Sequence, residues 1–301
     1  MENLIIIFAL LLLGMILNRL KILPENASQS LNLFIIYVSL PALILLQVPR
    51  LTFSKELLVP IILPWVMVIV SALLVILASR LLKWQRQITG ALLLMVPLGN
   101  TSFFGIPMIE AFWGTESVSY GVLYDQFGTF LALTTYGSII LAIYSGSEKP
   151  TPAAIVKKIC LFPPFIALVL GLLSMNVPYP AVLVSVLQGI AASLVPVVMV
   201  AIGLQIRLKL APGSWTPFTI GLAIKLVAAP LIATGLCFAL NLDGLAVKVA
   251  IFEAGMPPMV TAGALALIAG LAPELTAALV GLGLMASFLT LPLLFQLLQV
   301  L

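Results

Sequence analysis

Long apolar runs alternate with short polar interruptions along the whole chain, from LIIIFALLLLGMIL near the start to the apolar stretch that closes it. Crossing the hydrocarbon of a bilayer takes about 20 predominantly apolar residues, so each such run predicts a membrane-spanning helix. The runs lie near 3–18, 28–48, 57–80, 88–112, 117–144, 155–175, 181–206, 216–240, 245–268 and 272–298. They predict ten helices joined by short loops. A membrane β-barrel would instead show segments of about ten residues with alternating polarity, a pattern absent from this sequence. The predicted fold class is therefore an all-α polytopic membrane protein.

Composition narrows the range of functions. Of 301 residues, 62% are hydrophobic and only 8% charged. The mean hydropathy of +1.26 leaves too little polar surface for a soluble domain. The lipid bilayer is the partner this implies, and no surface remains for nucleic acid or for a catalytic ectodomain. With no histidine and two cysteines, Cys160 and Cys237, in or beside spans, neither an imidazole relay nor a metal-ligand spacing is available. Both cysteines read as free packing thiols, and no cofactor or metal is expected.

The net charge of +4 informs topology. With the N-terminus outside, ten basic residues fall in inner loops: Arg19, Lys21, Arg80, Lys83, Arg86, Lys149, Lys157, Lys158, Arg207 and Lys209. Three fall outside: Arg50, Lys55 and Lys248. The positive-inside bias places both termini outside the cytoplasmic (inner) membrane. The first run opens Met-Glu-Asn without a basic leader, and reads as a retained helix.

Displacing the sequence by 150 residues sets FFGIPM (103–108) over EAGMPP (253–258), which aligns Gly105 with Gly255 and Pro107 with Pro257. Each motif lies in the fourth run of its half. The join falls in the polar stretch SGSEKPTPAA (145–154), which divides the chain into halves 1–148 and 149–301. An odd number of spans per half makes the second half start from the opposite side of the membrane. The expected plan is two inverted five-helix repeats with interrupted helices at matching places, an arrangement that points to a site near the bilayer midplane. Aligned Gly-x-Pro triplets can also arise by chance in membrane helices, but the polar residues beside both breaks argue against that.

A proline removes a backbone donor and clashes with the carbonyl four residues earlier, and glycine accepts the backbone geometry of a break. Carbonyls and amides freed in hydrocarbon cost several kcal/mol each unless they pack in protein or line a wet cavity. Freed amides can hold an anion and freed carbonyls a cation. The candidate substrate site is Asn100, Thr101, Ser102, Gly105 and Pro107 in one run, with Gly255, Pro257, Pro258 and Thr261 in the other. Counted from Leu245 at about 1.5 Å per residue, Glu253 lies roughly 12 Å deep, where an unpaired carboxylate costs about 2.5 kcal/mol or more. It is the candidate for binding a coupling ion, a proton or sodium; the structural alternative is a salt bridge to Lys225. Lys225 could pair with an acid, bind an anion or take a cation's place as a tethered ammonium. Asp125 heads a stripe with Thr129 and Tyr136 and reads equally as a relay or a solvated vestibule residue. Glu110 reads as interfacial, and Trp65, Trp84, Trp113 and Trp215 as mostly belt residues.

NTSFFGIP in the fourth run, GMPPMVTAGALA in the ninth and KLVAAP in the eighth resemble the auxin efflux carrier family in its short form without a large central loop. The similarity covers essentially the whole chain. It implies a scaffold and a transport domain, crossing fourth and ninth helices, elevator-like motion, and small organic anions such as auxins, malonate or malate as substrates. Carried over by position, the crossing holds Asn100, Pro107 and Pro257. More distantly, EAGMP (253–257) is similar to a segment of the bile acid:sodium symporters whose acid holds sodium, though Pro257 stands where that family has a glutamine. The function expected is secondary transport of an organic anion. Sodium-coupled symport, a channel or a non-transporting sensor on the same fold are the alternatives, an enzyme is not expected, and a homodimer is compatible with all of them.

Overall fold

The computed structural model describes residues 2–24, 26–51, 55–145, 151–175, 177–206 and 213–300. Lys149, Arg207, Lys209 and the 146–150 portion of the predicted join lie outside these residues. Among the described residues the secondary structure is helical, with a single isolated β-bridge and no strand.

In chain order the helices are α1 (Glu2–Arg19), α2 (Ala27–Arg50), α3 (Lys55–Leu82), α4 (Arg86–Met95), α5 (Ile106–Trp113), α6 (Thr115–Ser145) and α7 (Pro152–Cys160). They continue with α8 (Pro163–Leu173), α9 (Ala181–Gln205), α10 (Trp215–Ala239), α11 (Leu245–Ala254), α12 (Val260–Ile268) and α13 (Pro273–Val300). Six of these, α2, α3, α6, α9, α10 and α13, are long and apolar enough to cross a membrane. They match predicted runs within a few residues. The run near 155–175 is the pair α7 and α8, bent by 64° at Leu161 and Phe162, and together they would make a seventh span. The runs near 88–112 and 245–268 are each divided, into α4 and α5 and into α11 and α12.

Proline positions explain part of the local geometry. Three helical stretches widen to π-type turns at Ile35–Ser39, Thr101–Gly105 and Ile224–Ala228, and a proline follows each after one intervening residue: Pro41, Pro107 and Pro230. In each case the carbonyl that the ring would strike, four residues back, lies inside the widened turn, which moves it aside. The widened Tyr124–Phe130 and Leu133–Gly137 turns of α6 have no such proline, and Pro64 sits within a regular stretch of α3. Proline therefore favours these turns without dictating them.

The chain groups into two compact units. Unit 1 draws on residues 1–54, 102–122 and 156–206; unit 2 draws on 55–101, 123–155 and 207–301. Both halves of the sequence contribute to both units. In unit 1, α1 packs along the second half of α9 so closely that no side chain fits at the contact. A Cβ built on Gly203 would collide with the Leu11 carbonyl oxygen and stand 2.9 Å from Gly14 Cα. Small residues of this kind let helix backbones touch where no hydrophobic force drives helices together in lipid. A hydroxyl pair, Ser39 and Ser193 at 2.8 Å, adds a polar tie between α2 and α9.

Unit 2 has its apolar core around α4, whose residues 89–95 are all buried, as a helix enclosed on every side requires. Val68, Val75, Leu133, Phe218, Ala262 and Leu279 pack in the same core. Trp65 donates its indole N–H to the Phe127 carbonyl at 2.9 Å and packs, partly buried, against this core. The Tyr136 hydroxyl donates to the Leu93 carbonyl at 2.7 Å. Cys237 is buried, whereas Cys160 is exposed and is not a packing thiol.

Candidate functional site

The first interruption lies upstream of where Gly105 and Pro107 predict it. Helix α4 stops at Met95, and residues 96–100, Val-Pro-Leu-Gly-Asn, are non-helical. Pro97 supplies no amide for helix propagation, and the chain resumes its helix in the widened Thr101–Gly105 turn that leads into α5. Pro107 therefore lies inside a helical stretch that runs from Thr101 to Trp113, and the widened turn before it accommodates the ring. The second interruption falls where Gly255, Pro257 and Pro258 predict it, between Ala254 and Val260.

The two interruptions bond to one another. The Asn100 amide donates to the Pro257 carbonyl at 2.8 Å, and the Met259 amide donates to the Leu98 carbonyl at 3.0 Å. These bonds form a one-rung antiparallel bridge between Gly99 and Pro258. Backbone groups that would be costly to leave bare in an apolar core are thereby used within unit 2.

Around the bridge, unit 2 encloses a polar cluster. Asn100 is 2% exposed, Thr101 0%, Asp125 1%, Lys225 4% and Glu253 0%. The Thr101 hydroxyl donates to Asp125 Oδ1 at 2.5 Å and Gln126 Nε2 donates to Asp125 Oδ2 at 2.6 Å. Asp125 is thus a buried, hydrogen-bonded carboxylate and not a vestibule residue. Lys225 Nζ donates to the Ala254 carbonyl at 3.2 Å, at the C-terminus of α11. Both Asp125 and Lys225 lie within electrostatic range of Glu253. Neither carboxylate oxygen of Glu253 has a hydrogen-bond partner among the described residues, and the same holds for Asn100 Nδ2 and Gln126 Oε1. The alternative of a Lys225–Glu253 salt bridge does not form: the lysine bonds a main-chain carbonyl and the acid is left open.

Chemically, the cluster offers an open amide donor on Asn100 and open acceptors on Glu253 and Gln126. A carboxylate suits the donor, and a proton or small cation suits the acceptors. Gly255, Pro257 and Pro258 are buried at the crossing, but Thr261 is exposed on α12 and is not part of it. Ser102, Gly105 and Pro107 group with unit 1, where Pro107 and the half-buried Glu110 line a cavity of about 410 Å³ together with Gln47, Arg50, Thr115 and Gln188.

Several members of the cluster had no motif to announce them. Gln126, Gly99 and the Ala254 carbonyl belong to no spacing rule. A structural signal does unite the polar residues, because Thr101, Asp125 and Gln126, and Lys225 all lie on π-type turns. Such turns leave carbonyls and side chains out of helical register and recur at functional sites.

Comparison with known proteins gives the family to which this chain belongs. The family described as Membrane transport protein matches residues 1–295. A relative described as an uncharacterized transporter from Methanothermobacter thermautotrophicus is 28% identical over 296 residues, covering 97% of this chain and 96% of the relative. Another uncharacterized transporter, from Methanocaldococcus jannaschii, is 24% identical over 266 residues, 85% of each chain. The family and both relatives are described as transporters and not as enzymes. The chain belongs to the membrane transport protein family, the auxin efflux carriers that its NTSFFGIP and GMPPMVTAGALA segments resemble.

Proposed function

We propose that the protein is a secondary transporter of small organic anions, mono- or dicarboxylates such as malonate, malate or auxin-like acids, in the cytoplasmic membrane with both termini outside. It works by elevator-type alternating access. Its ten helices form two inverted five-helix repeats, and the interrupted fourth and ninth helices are α4–α5 and α11–α12. Unit 2, which contains the bridge, is the part that carries the substrate.

The observation that supports this reading most is the pairing of orphaned groups at the bridge. Asn100 Nδ2, buried and without an acceptor, suits a substrate carboxylate, and the open Glu253 oxygens suit the coupling ion. An unpaired buried polar group costs about 1–3 kcal/mol, which a bound ligand would recover. Neutralising Glu253 with a proton or a monovalent cation lowers the negative charge of the cluster and favours the anion beside it.

The test is transport of labelled malonate and malate into vesicles containing the purified protein. Asn100→Ala removes the open donor. Loss of a hydrogen bond to a charged group is worth about 1.5–3 kcal/mol, so malonate affinity should fall roughly 10- to 100-fold in a thermal-shift titration. If Asn100→Ala and Glu253→Gln both leave transport of every tested carboxylate unchanged, the site is wrongly assigned.

A further inference from the structure

We infer that the Lys225 ammonium is a built-in cation of the crossing, standing where a mobile sodium ion would otherwise bind, so that the protein takes up its anion without sodium. The inference rests on the anion-transport reading and names its coupling ion.

A break in a membrane helix turns the last carbonyls of the half-helix toward its interior, and such carbonyls with a nearby carboxylate make a sodium site. The C-terminus of α11 meets that description, with the Ala254 carbonyl at its end and Glu253 one residue earlier. Two of the end amides fold back, Gly255 onto the Phe252 carbonyl at 3.0 Å and Met256 onto the Glu253 carbonyl at 3.1 Å. The Ala254 carbonyl instead accepts from Lys225 Nζ at 3.2 Å. A cation at a helix C-terminus is stabilised by the helix dipole as well. Lys225 is 4% exposed, and its charge is held on the Ala254 carbonyl near Glu253 without an ion pair to that carboxylate, whose oxygens stay open.

Space for the ammonium is provided from the other side of the crossing. A Cβ built on Gly99 would lie 3.1 Å from Lys225 Nζ and 3.5 Å from its Cε, so a side chain at 99 would press on the ammonium. The glycine of the bridge and the lysine of α10 thus fit one another. The π-type turn at Ile224–Ala228 sets the lysine inward, and Pro230 follows it. With this position filled by a covalently attached charge, Glu253 is left to exchange a proton alone.

The experiment compares purified wild-type protein with Lys225→Ala and Lys225→Gln in sodium, potassium and choline chlorides at equal ionic strength. Melting temperature is read first, then malonate binding in each salt. Wild type is expected to melt at the same temperature in the three salts and to bind malonate equally in all. Lys225→Ala opens the cation position, so its melting temperature should rise with sodium concentration but not with choline, and methylammonium should stabilise it too. Lys225→Gln retains a donor for Ala254 without the charge. It should keep the fold and lose malonate affinity by about tenfold or more, as expected for removing a buried positive charge near the anion.

Sodium-specific stabilisation of wild type, or sodium-dependent malonate binding by it, overturns the inference. So does a Lys225→Ala protein that folds and ignores sodium and methylammonium, or, if that variant does not fold, a Lys225→Gln protein with unaltered malonate affinity. Failure of malonate and the other carboxylates to bind wild type would count against the anion reading instead. The sodium comparison between wild type and Lys225→Ala still decides the role of the lysine in that case.

Discussion

Glu253→Gln is expected to reduce net, uphill transport of malonate about 100-fold or more while leaving exchange of internal for external malonate largely intact. The amide has nearly the shape of the acid, so the bridge beside it and the apolar packing of α11 need not change. What changes is charge. Lys225, Asp125 and Glu253 are buried together, and the two acids outnumber the base. A charged group in the bilayer interior costs about 2.5–3.5 kcal/mol, which corresponds to a factor of roughly 100 or more in an equilibrium or rate. Glutamine fixes the neutral form. On the proposed proton-coupled cycle, loaded carriers can therefore exchange, but the step that releases the proton is lost and accumulation stops. Equal loss of exchange and net uptake would assign Glu253 to substrate binding, and no loss of either would remove it from the cycle.

Gly203→Val should be the most damaging single substitution in unit 1. Even a bare Cβ there would strike the Leu11 carbonyl oxygen, which belongs to a helix backbone and cannot rotate aside. Valine adds two further methyl groups, and α1 must separate from α9. Overpacking of this kind costs about 1–3 kcal/mol when neighbours can adapt, and more when the obstacle is backbone. The expected result is a melting temperature lower by on the order of 10 °C, or a protein that cannot be purified intact. Gly189 provides the comparison within the same long helix. No atom lies within 4 Å of a Cβ built there, so Gly189→Ala should be neutral or stabilise by about 0.5–1 kcal/mol through helix propensity. Equal effects of the two substitutions would show that the α1–α9 contact contributes little.

Much of the fold could be read from the chain because the bilayer imposes a length on apolar runs. The spans near 57–80, 117–144 and 216–240 needed only that constraint to be located. The interruptions were legible for a related reason, since proline and glycine in a deep apolar run are expensive unless the backbone finds partners. Their detail was not. Gly105 and Pro107 mark a turn that stays helical, and the actual gap, residues 96–100, lies upstream and holds Pro97. A proline that ends a helix and a proline accommodated inside one have the same letter and opposite consequences. Glu253 stood out as an acid where charge is costly, yet its partner could not be read. Lys225 had a carboxylate and a main-chain carbonyl to choose between, and only three-dimensional placement of the Ala254 carbonyl shows which it takes. Gln126 was hidden because a polar amide beside an aspartate carries no periodic signature.

The bridge between Gly99 and Pro258 is made of main-chain atoms, and this bears on how such a protein can diversify. Its two bonds run from the Asn100 amide to the Pro257 carbonyl and from the Met259 amide to the Leu98 carbonyl. Neither uses a side chain. Selection for a new substrate can therefore rework the side chains of this segment, Asn100 included, without dismantling the join that positions them. The frame of the site and the chemistry it displays are thus held by different atoms, and a change in one leaves the other standing.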